Sequence, residues 1–233
     1  YHTANDNYYN LSNNSLAHQG SYLLPLIHYF ANADLSKLKS EFDDVYVNFP
    51  LVKMISYPFS WILPMLILAT VLFLFLIFYG LYRRKLNGKM MGLGFAPFLI
   101  SLISCGVIGF FGWKLILALY PQYAEIQQGF TYNGHWYIAF FVFLSLAITF
   151  AVYKGFTKKF VEPSFYVAPL LFWLLINVAV FIILKGAAFF IIPVFFGLLS
   201  FFVMLRQERP NLLAMALLAV PAIFIFAPLI QFF

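Results

Sequence analysis

From Ser60 to Tyr82 the chain is an almost unbroken apolar run, and it ends at once in Arg83-Arg84-Lys85. An α-helix needs about 20 apolar residues to cross a hydrocarbon core of roughly 30 Å. The stretch WILPMLILATVLFLFLIFYGLY has that length. Lys and Arg beside a membrane segment resist translocation, so the basic triplet, with Lys89 close behind, predicts a cytoplasmic far end. Everything before Ser60 is then expected on the opposite side: a periplasm, the exterior or an organelle lumen. One helix thus divides the chain into an external polar piece and a membrane piece.

The remainder of the chain follows the same chemistry. Hydrophobic residues make up 64% of it and charged residues 9%, whereas soluble domains carry about 25% charge. The fold class expected is mainly α, a polytopic transmembrane helical bundle with the lipid bilayer as a partner. The 31 Phe fall mostly in the apolar stretches, where lipid contact and ring packing account for them. The net charge of +6 does not point to nucleic acid, because the basic residues sit at helix ends. Cys105 is the sole cysteine, so no intrachain disulfide can form. The chain opens on Tyr with no signal-peptide pattern. Its first residues read as mid-domain sequence, which predicts the C-terminal part of something longer.

Residues 1–14 are polar and Asn-rich, the composition of a loop. Leu16, Gly20, Leu23, Ile27 and Phe30 then recur at spacings of three and four, predicting a helix over 15–33 with Asn14 or Ser15 as its N-cap. Pro25 removes a hydrogen bond to residue 21 and is expected to kink that helix. Its Pro, Gly, His and Ser suit a helix packed on a soluble domain better than a membrane span. Residues 34–44 are a charged connector. VYVNF and VKMISY, parted by a proline turn, predict a short β-hairpin. Trp61 stands where aromatic belts lie.

Six spans are expected, at about 60–82, 95–120, 136–153, 165–184, 187–205 and 211–230. Their alternation puts Arg83, Arg84, Lys85, Lys89, Lys154, Lys158, Lys159, Arg206 and Arg209 in cytoplasmic loops and only Lys185 outside. A nine-to-one bias supports that topology. Lys114 and Lys185 lie near outer ends, where long side chains snorkel to the interface. Asn177 is mid-span and predicts an interhelical hydrogen bond. The spans contain no paired carboxylates and the chain no clear repeat, which lowers the expectation of a transporter.

Only the opening loop carries a plausible chemical motif. His2 lies in a polar loop, with Tyr1 before it and Asp6 four residues on. An imidazole is a good zinc ligand and a nearby carboxylate can orient it, yet one ligand does not make a site. YHTANDNYYNL followed by SLAHQGSYLLPLIHYFANADL resembles the end of the catalytic domain in the dizinc aminopeptidases of metallopeptidase family twenty-eight, the group of bacterial leucyl aminopeptidase and aminopeptidase Y. DDVYVNF with VKMISYPFSWILP resembles that family's membrane-anchored branch, such as endoplasmic-reticulum metallopeptidase and vacuolar membrane protease. The likeness covers about residues 1–65; the later spans match only in kind.

The resemblance implies that His2 is the last zinc ligand, that Tyr1 donates to the oxyanion of the substrate carbonyl, and that Asp6 is the acidic residue of the loop. It implies three parts: 1–34 as the end of an extracytoplasmic α/β peptidase domain (its last loop and C-terminal helix), 35–58 as a connector with the hairpin, and 59–233 as the transmembrane domain. Two zinc ions and a peptide substrate are implied as cofactors and partner. The family's other ligands and its Glu base have no counterpart in residues 1–233, so this piece alone is expected to be inactive. His18, His28 and His135 do not fit the ligand pattern. Asn10-Leu11-Ser12 and Asn13-Asn14-Ser15 match the glycosylation sequon, which Asn-rich loops also produce by chance. A transport or channel module, or an anchor or scaffold with no active site, is the alternative; upstream metal ligands discriminate them.

Overall fold

The computed structural model describes residues 7–37, 39–49, 53–126, 131, 133–157, 162–208 and 210–232. Within them the chain is mainly helical. It opens on α1 (Asn13–Asn32) and a two-stranded sheet, β1 (Asp44–Phe49) and β2 (Lys53–Pro58). There follow α2 (Ile62–Tyr82), α3 (Gly88–Leu93), α4 (Phe95–Leu119), α5 (Gly134–Phe156), α6 (Val167–Ile183), α7 (Ile191–Arg206) and α8 (Leu212–Phe232).

Five helical stretches are long and apolar enough to cross a membrane: Phe59–Tyr82, Gly88–Leu119, Gly134–Phe156, Pro163–Ile183 and Lys185–Arg206. The expected sixth span falls on α8, where the apolar stretch with described side chains, Leu212–Ala227, is shorter than these.

Helix α1 starts two residues earlier than expected. Its N-cap is Ser12, whose Oγ accepts from the Ser15 amide at 3.3 Å. Ser12, Asn13, Asn14 and Ser15 are all good caps, and the first of them takes the role. The helix runs on through Pro25 to Asn32. None of its residues is buried, and it exposes Leu16, Tyr22, Leu23, Leu24, Ile27 and Phe30.

The strands pair antiparallel, from Asp44 opposite Pro58 to Phe49 opposite Lys53. The predicted hairpin is therefore present within a residue or two. The Phe59 amide donates to the Asp43 carbonyl oxygen at 3.1 Å, so the hairpin closes where the first long helix begins.

The bundle is organised around α2, α6 and α7. Leu66, Ala69, Phe73 and Leu76 of α2 form one stripe at helical spacing. It meets Val167, Leu170 and Leu174 of α6, and Ile191, Val194, Leu198, Phe201 and Leu205 of α7. In lipid the outward residues gain nothing from burial, so close packing rather than water exclusion holds such helices together. Helices α4 and α5 pair with each other at the side of this core, and Phe98 of α4 meets Phe172 of α6 edge-on at 5.2 Å. Helix α8 lies along α7.

Two details depart from the expected spans. The short helix α3 stands where a plain basic loop was predicted; Asn87 caps it, its Oδ1 accepting from the Met90 amide at 3.2 Å. The fifth span is not one helix either. Its first four expected residues, 187–190, belong to a 3₁₀ segment, Lys185–Phe190, and α7 proper begins at Ile191.

Candidate functional site

Tyr1, His2 and Asp6 lie outside the described residues. The structure begins just beyond them. The Asn7 Oδ1 accepts from the amides of Tyr9 and Asn10 at 3.1 and 3.2 Å, turning Tyr8–Asn10 into one 3₁₀ turn that leads to the Ser12 cap. Helix α1 therefore begins at Asn13, directly after this turn and the Ser12 cap.

The remaining imidazoles are dispersed. His18 Nε2 lies 3.1 Å from the Tyr22 hydroxyl, one turn along α1, with the rings edge-on at 4.7 Å. His28 is further along the same exposed helix, and His135 is exposed at the start of α5. Cys105 Sγ points to the Ser145 carbonyl oxygen at 3.7 Å, across the α4–α5 pair. Among the described residues, no group of three or more His, Cys, Asp and Glu side chains is placed to hold a metal ion.

What the structure does build is a joint between the hairpin and the bundle. Val45 of β1, Tyr57 of β2, Ile62 of α2 and Ala188 of the 3₁₀ segment form a second buried cluster, flanked by Phe59, Met65 and Phe181. The strand alternation aims Val45 and Tyr57, directly opposite each other in the register, at the same face. The hairpin reaches further: Phe49, at its far end, meets Phe224 of α8 edge-on at 5.6 Å. The Tyr57 hydroxyl is buried and has no hydrogen-bond partner among the described residues. Burial favours the neutral phenol and pushes its pKa up to about 12.

Beneath this joint, Asn177 of α6 is buried. Its Nδ2 donates to the Trp173 carbonyl oxygen at 2.9 Å and to that of Phe190 at 3.3 Å. The expected interhelical role is thus filled by a bond to the end of the 3₁₀ segment. Trp173, Phe190 and Phe226 form an aromatic cluster around the same point, the last two stacked at 5.7 Å. Lys114 and Lys185 hold their ammonium groups 4.5 Å and 5.8 Å from the ring centres of Phe110 and Phe181, one turn back in each case. Both are exposed.

Sequence reasoning missed Tyr57 and the 3₁₀ segment. Tyr57 carried no signal beyond an alternating strand. KGAAFF is as compatible with helix as with 3₁₀.

Comparison with protein-family models, curated proteins and solved structures finds no match to this chain.

Proposed function

We propose that this chain is the C-terminal part of a membrane-bound dizinc metallopeptidase of aminopeptidase type. In this reading residues 1–34 end an extracytoplasmic peptidase domain, 35–58 join it to the membrane, and 59–233 anchor it through six spans, α8 being the sixth. The basic end, with Arg83–Lys89, faces the cytoplasm.

One observation carries the reading: the run from Tyr1 through Leu35, with its Tyr-His-Thr-x-x-Asp opening, stands directly ahead of a connector and a membrane span. Helix α1 supports it. An exposed stripe holding Leu16, Leu23, Ile27 and Phe30 needs a cover, and a peptidase domain ahead of Tyr1 supplies one. In the intact enzyme His2 would give one neutral imidazole to a zinc ion, and Tyr1 would donate a hydrogen bond where oxyanion charge develops. Asp6 would orient the loop. Zinc, when held, activates water and polarises the scissile carbonyl. Its other ligands and the general base would come from residues outside 1–233.

A second reading is a transport or channel module, or a scaffold. The change from 3₁₀ to α-helix at Phe190–Ile191, inside the long apolar stretch Lys185–Arg206, favours it, because transporters interrupt their membrane helices. No Asp or Glu falls within the five long apolar stretches, however, which supports an anchor over an ion-coupled pathway. Zinc content and release of N-terminal residues from peptides, measured on the intact protein before and after chelation, separate the two. Stoichiometric zinc with chelator-sensitive cleavage supports the enzyme. Zinc-free protein with no cleavage supports the module or scaffold.

A further inference from the structure

Six cations scattered along the sequence converge at one end of the bundle. Arg83, Arg84 and Lys85 follow α2, Lys89 is on α3, Lys154 is in the last turn of α5, and Arg206 ends α7. Packing brings these helix ends together. The Asn87 amide donates to Ser164 Oγ at 3.2 Å, just ahead of α6. Leu86 is buried beside Gly80 and Leu205, the latter next to Arg206. Phe165 meets Tyr153, the neighbour of Lys154, edge-on at 6.3 Å. Of these six cations only Lys85 is partly covered; the others are exposed.

This end is also held in shape. The amides of Lys85 and Leu86 both donate to the Gly80 carbonyl oxygen, at 2.9 and 3.1 Å, and that of Arg84 to Leu81 at 3.0 Å. These bonds fold the triplet back over the end of α2. They hold Arg84 at φ 54°, a left-handed conformation that costs a residue with a Cβ energy and persists only where the surroundings impose it. The Arg206 guanidinium lies 5.9 Å from the Phe202 ring centre, and that ring packs on Tyr79, one turn before Arg83.

We propose that this basic end docks on the phosphate headgroups of anionic phospholipids. Every cation in it lies within a few residues of the end of an apolar stretch long enough to span a bilayer, and that is the depth of lipid phosphates. Guanidinium forks match phosphate oxygens two at a time. A cluster of four to eight Lys and Arg beside a membrane helix gains about fivefold in binding per cation from an anionic leaflet. The inference rests on the membrane embedding of the bundle and not on the peptidase reading.

The test uses the intact protein in bilayers of phosphatidylcholine with or without phosphatidylglycerol, reading lipid binding and the unfolding temperature. Phosphatidylglycerol is expected to raise the unfolding temperature and bind preferentially, with the preference falling at high salt. Replacing Arg83, Arg84 and Lys85 together by Gln is expected to remove most of it. Arg206→Gln, which leaves the triplet and its topological role in place, is expected to weaken binding about fivefold. Lys114→Gln and Lys185→Gln, at the far end, are expected to leave the preference unchanged. Equal response to both lipids, an equal response to inorganic phosphate, or full preference in both the triple variant and Arg206→Gln would overturn the proposal. Alkaline carbonate extraction is run beside it. A chain washed off the membrane overturns the embedding itself, whereas one that stays and ignores lipid charge overturns only the headgroup proposal.

Discussion

The Asn177 side-chain amide donates to the Phe190 carbonyl oxygen at 3.3 Å, tying the middle of α6 to the point where the returning 3₁₀ segment becomes α7. The same amide donates to Trp173 at 2.9 Å, so both of its protons are used. Interhelical hydrogen bonds in lipid average about 0.6 kcal/mol and reach roughly 1.7. Asn177→Leu is expected to lower stability by about 1 kcal/mol. Asn177→Asp is expected to cost more, because it sets a buried carboxylate against two carbonyl oxygens. Thermal unfolding of the two variants in detergent checks the order, and an Asp variant as stable as the Leu variant would contradict it.

Gly80 is where the basic turn packs back on α2. A Cβ there would lie 2.6 Å from Leu86 Cγ and Cδ1 and 3.0 Å from Leu205 Cδ2. Overpacking of this kind costs about 1–3 kcal/mol. Gly80→Ala should destabilise the parent by that order and a Leu86→Ala background by less, because truncating Leu86 makes room for the added methyl. An equal loss in both backgrounds would show that the close approach to Leu86 is not the cause.

Tyr57 links the hairpin to pH. Its phenol is neutral when protonated and ordinarily titrates near 10; burial pushes it up to about 12. The folded state thus holds this proton more tightly than the unfolded chain. Its stabilising contribution is complete below pH 10 and is lost as pH rises from 10 to 12. Tyr57→Phe should flatten the stability profile in that window relative to the parent. At neutral pH it removes a buried hydroxyl that has no partner among the described residues, so stability should hold or rise by about 1 kcal/mol. A large loss at neutral pH would mean that the hydroxyl has a partner.

Five of the six expected stretches were legible as long apolar helices because an apolar run of about 20 residues has few other fates, and 60–82 and 95–120 match α2 and α4 within two residues. The hairpin was legible from β-branched runs either side of Pro50. The cap of α1 was misplaced because four consecutive residues, Ser12 to Ser15, all suit it. The 3₁₀ start of the fifth span was not legible: KGAAFF has no local preference that separates it from helix, and the Asn177 bond comes from a residue in another helix. Convergence of the cations was legible as charge bias but not as one surface, because Leu86, Ser164 and Phe165 bring those ends together in three dimensions. Of the proposed chemistry, the sequence supplied Tyr1, His2 and Asp6, all ahead of the described residues.

The charge bias predicts which ends of the helices share a side. Cysteines placed at Gln122, in the turn after α4, and at Gly155, near the end of α5, should react with a membrane-impermeant thiol reagent from opposite sides, Gln122 from outside. They are separated by one helix, α5 (Gly134–Phe156). Labelling of both from a single side would contradict the topology.

The most direct measurement is zinc content and peptidase activity of the intact protein after His2→Ala, compared with Tyr1→Phe and Asp6→Asn. Loss of a ligand should lower zinc and cut activity by orders of magnitude, because water activation and carbonyl polarisation both depend on the metal. Tyr1→Phe should keep zinc and lose up to about 10²–10³ in rate, the cost of one oxyanion donor. Asp6→Asn should cost about 10–100-fold, as residues that orient ligands do. Membrane insertion should be the same in all three. Full zinc and full activity after His2→Ala would contradict the metallopeptidase assignment.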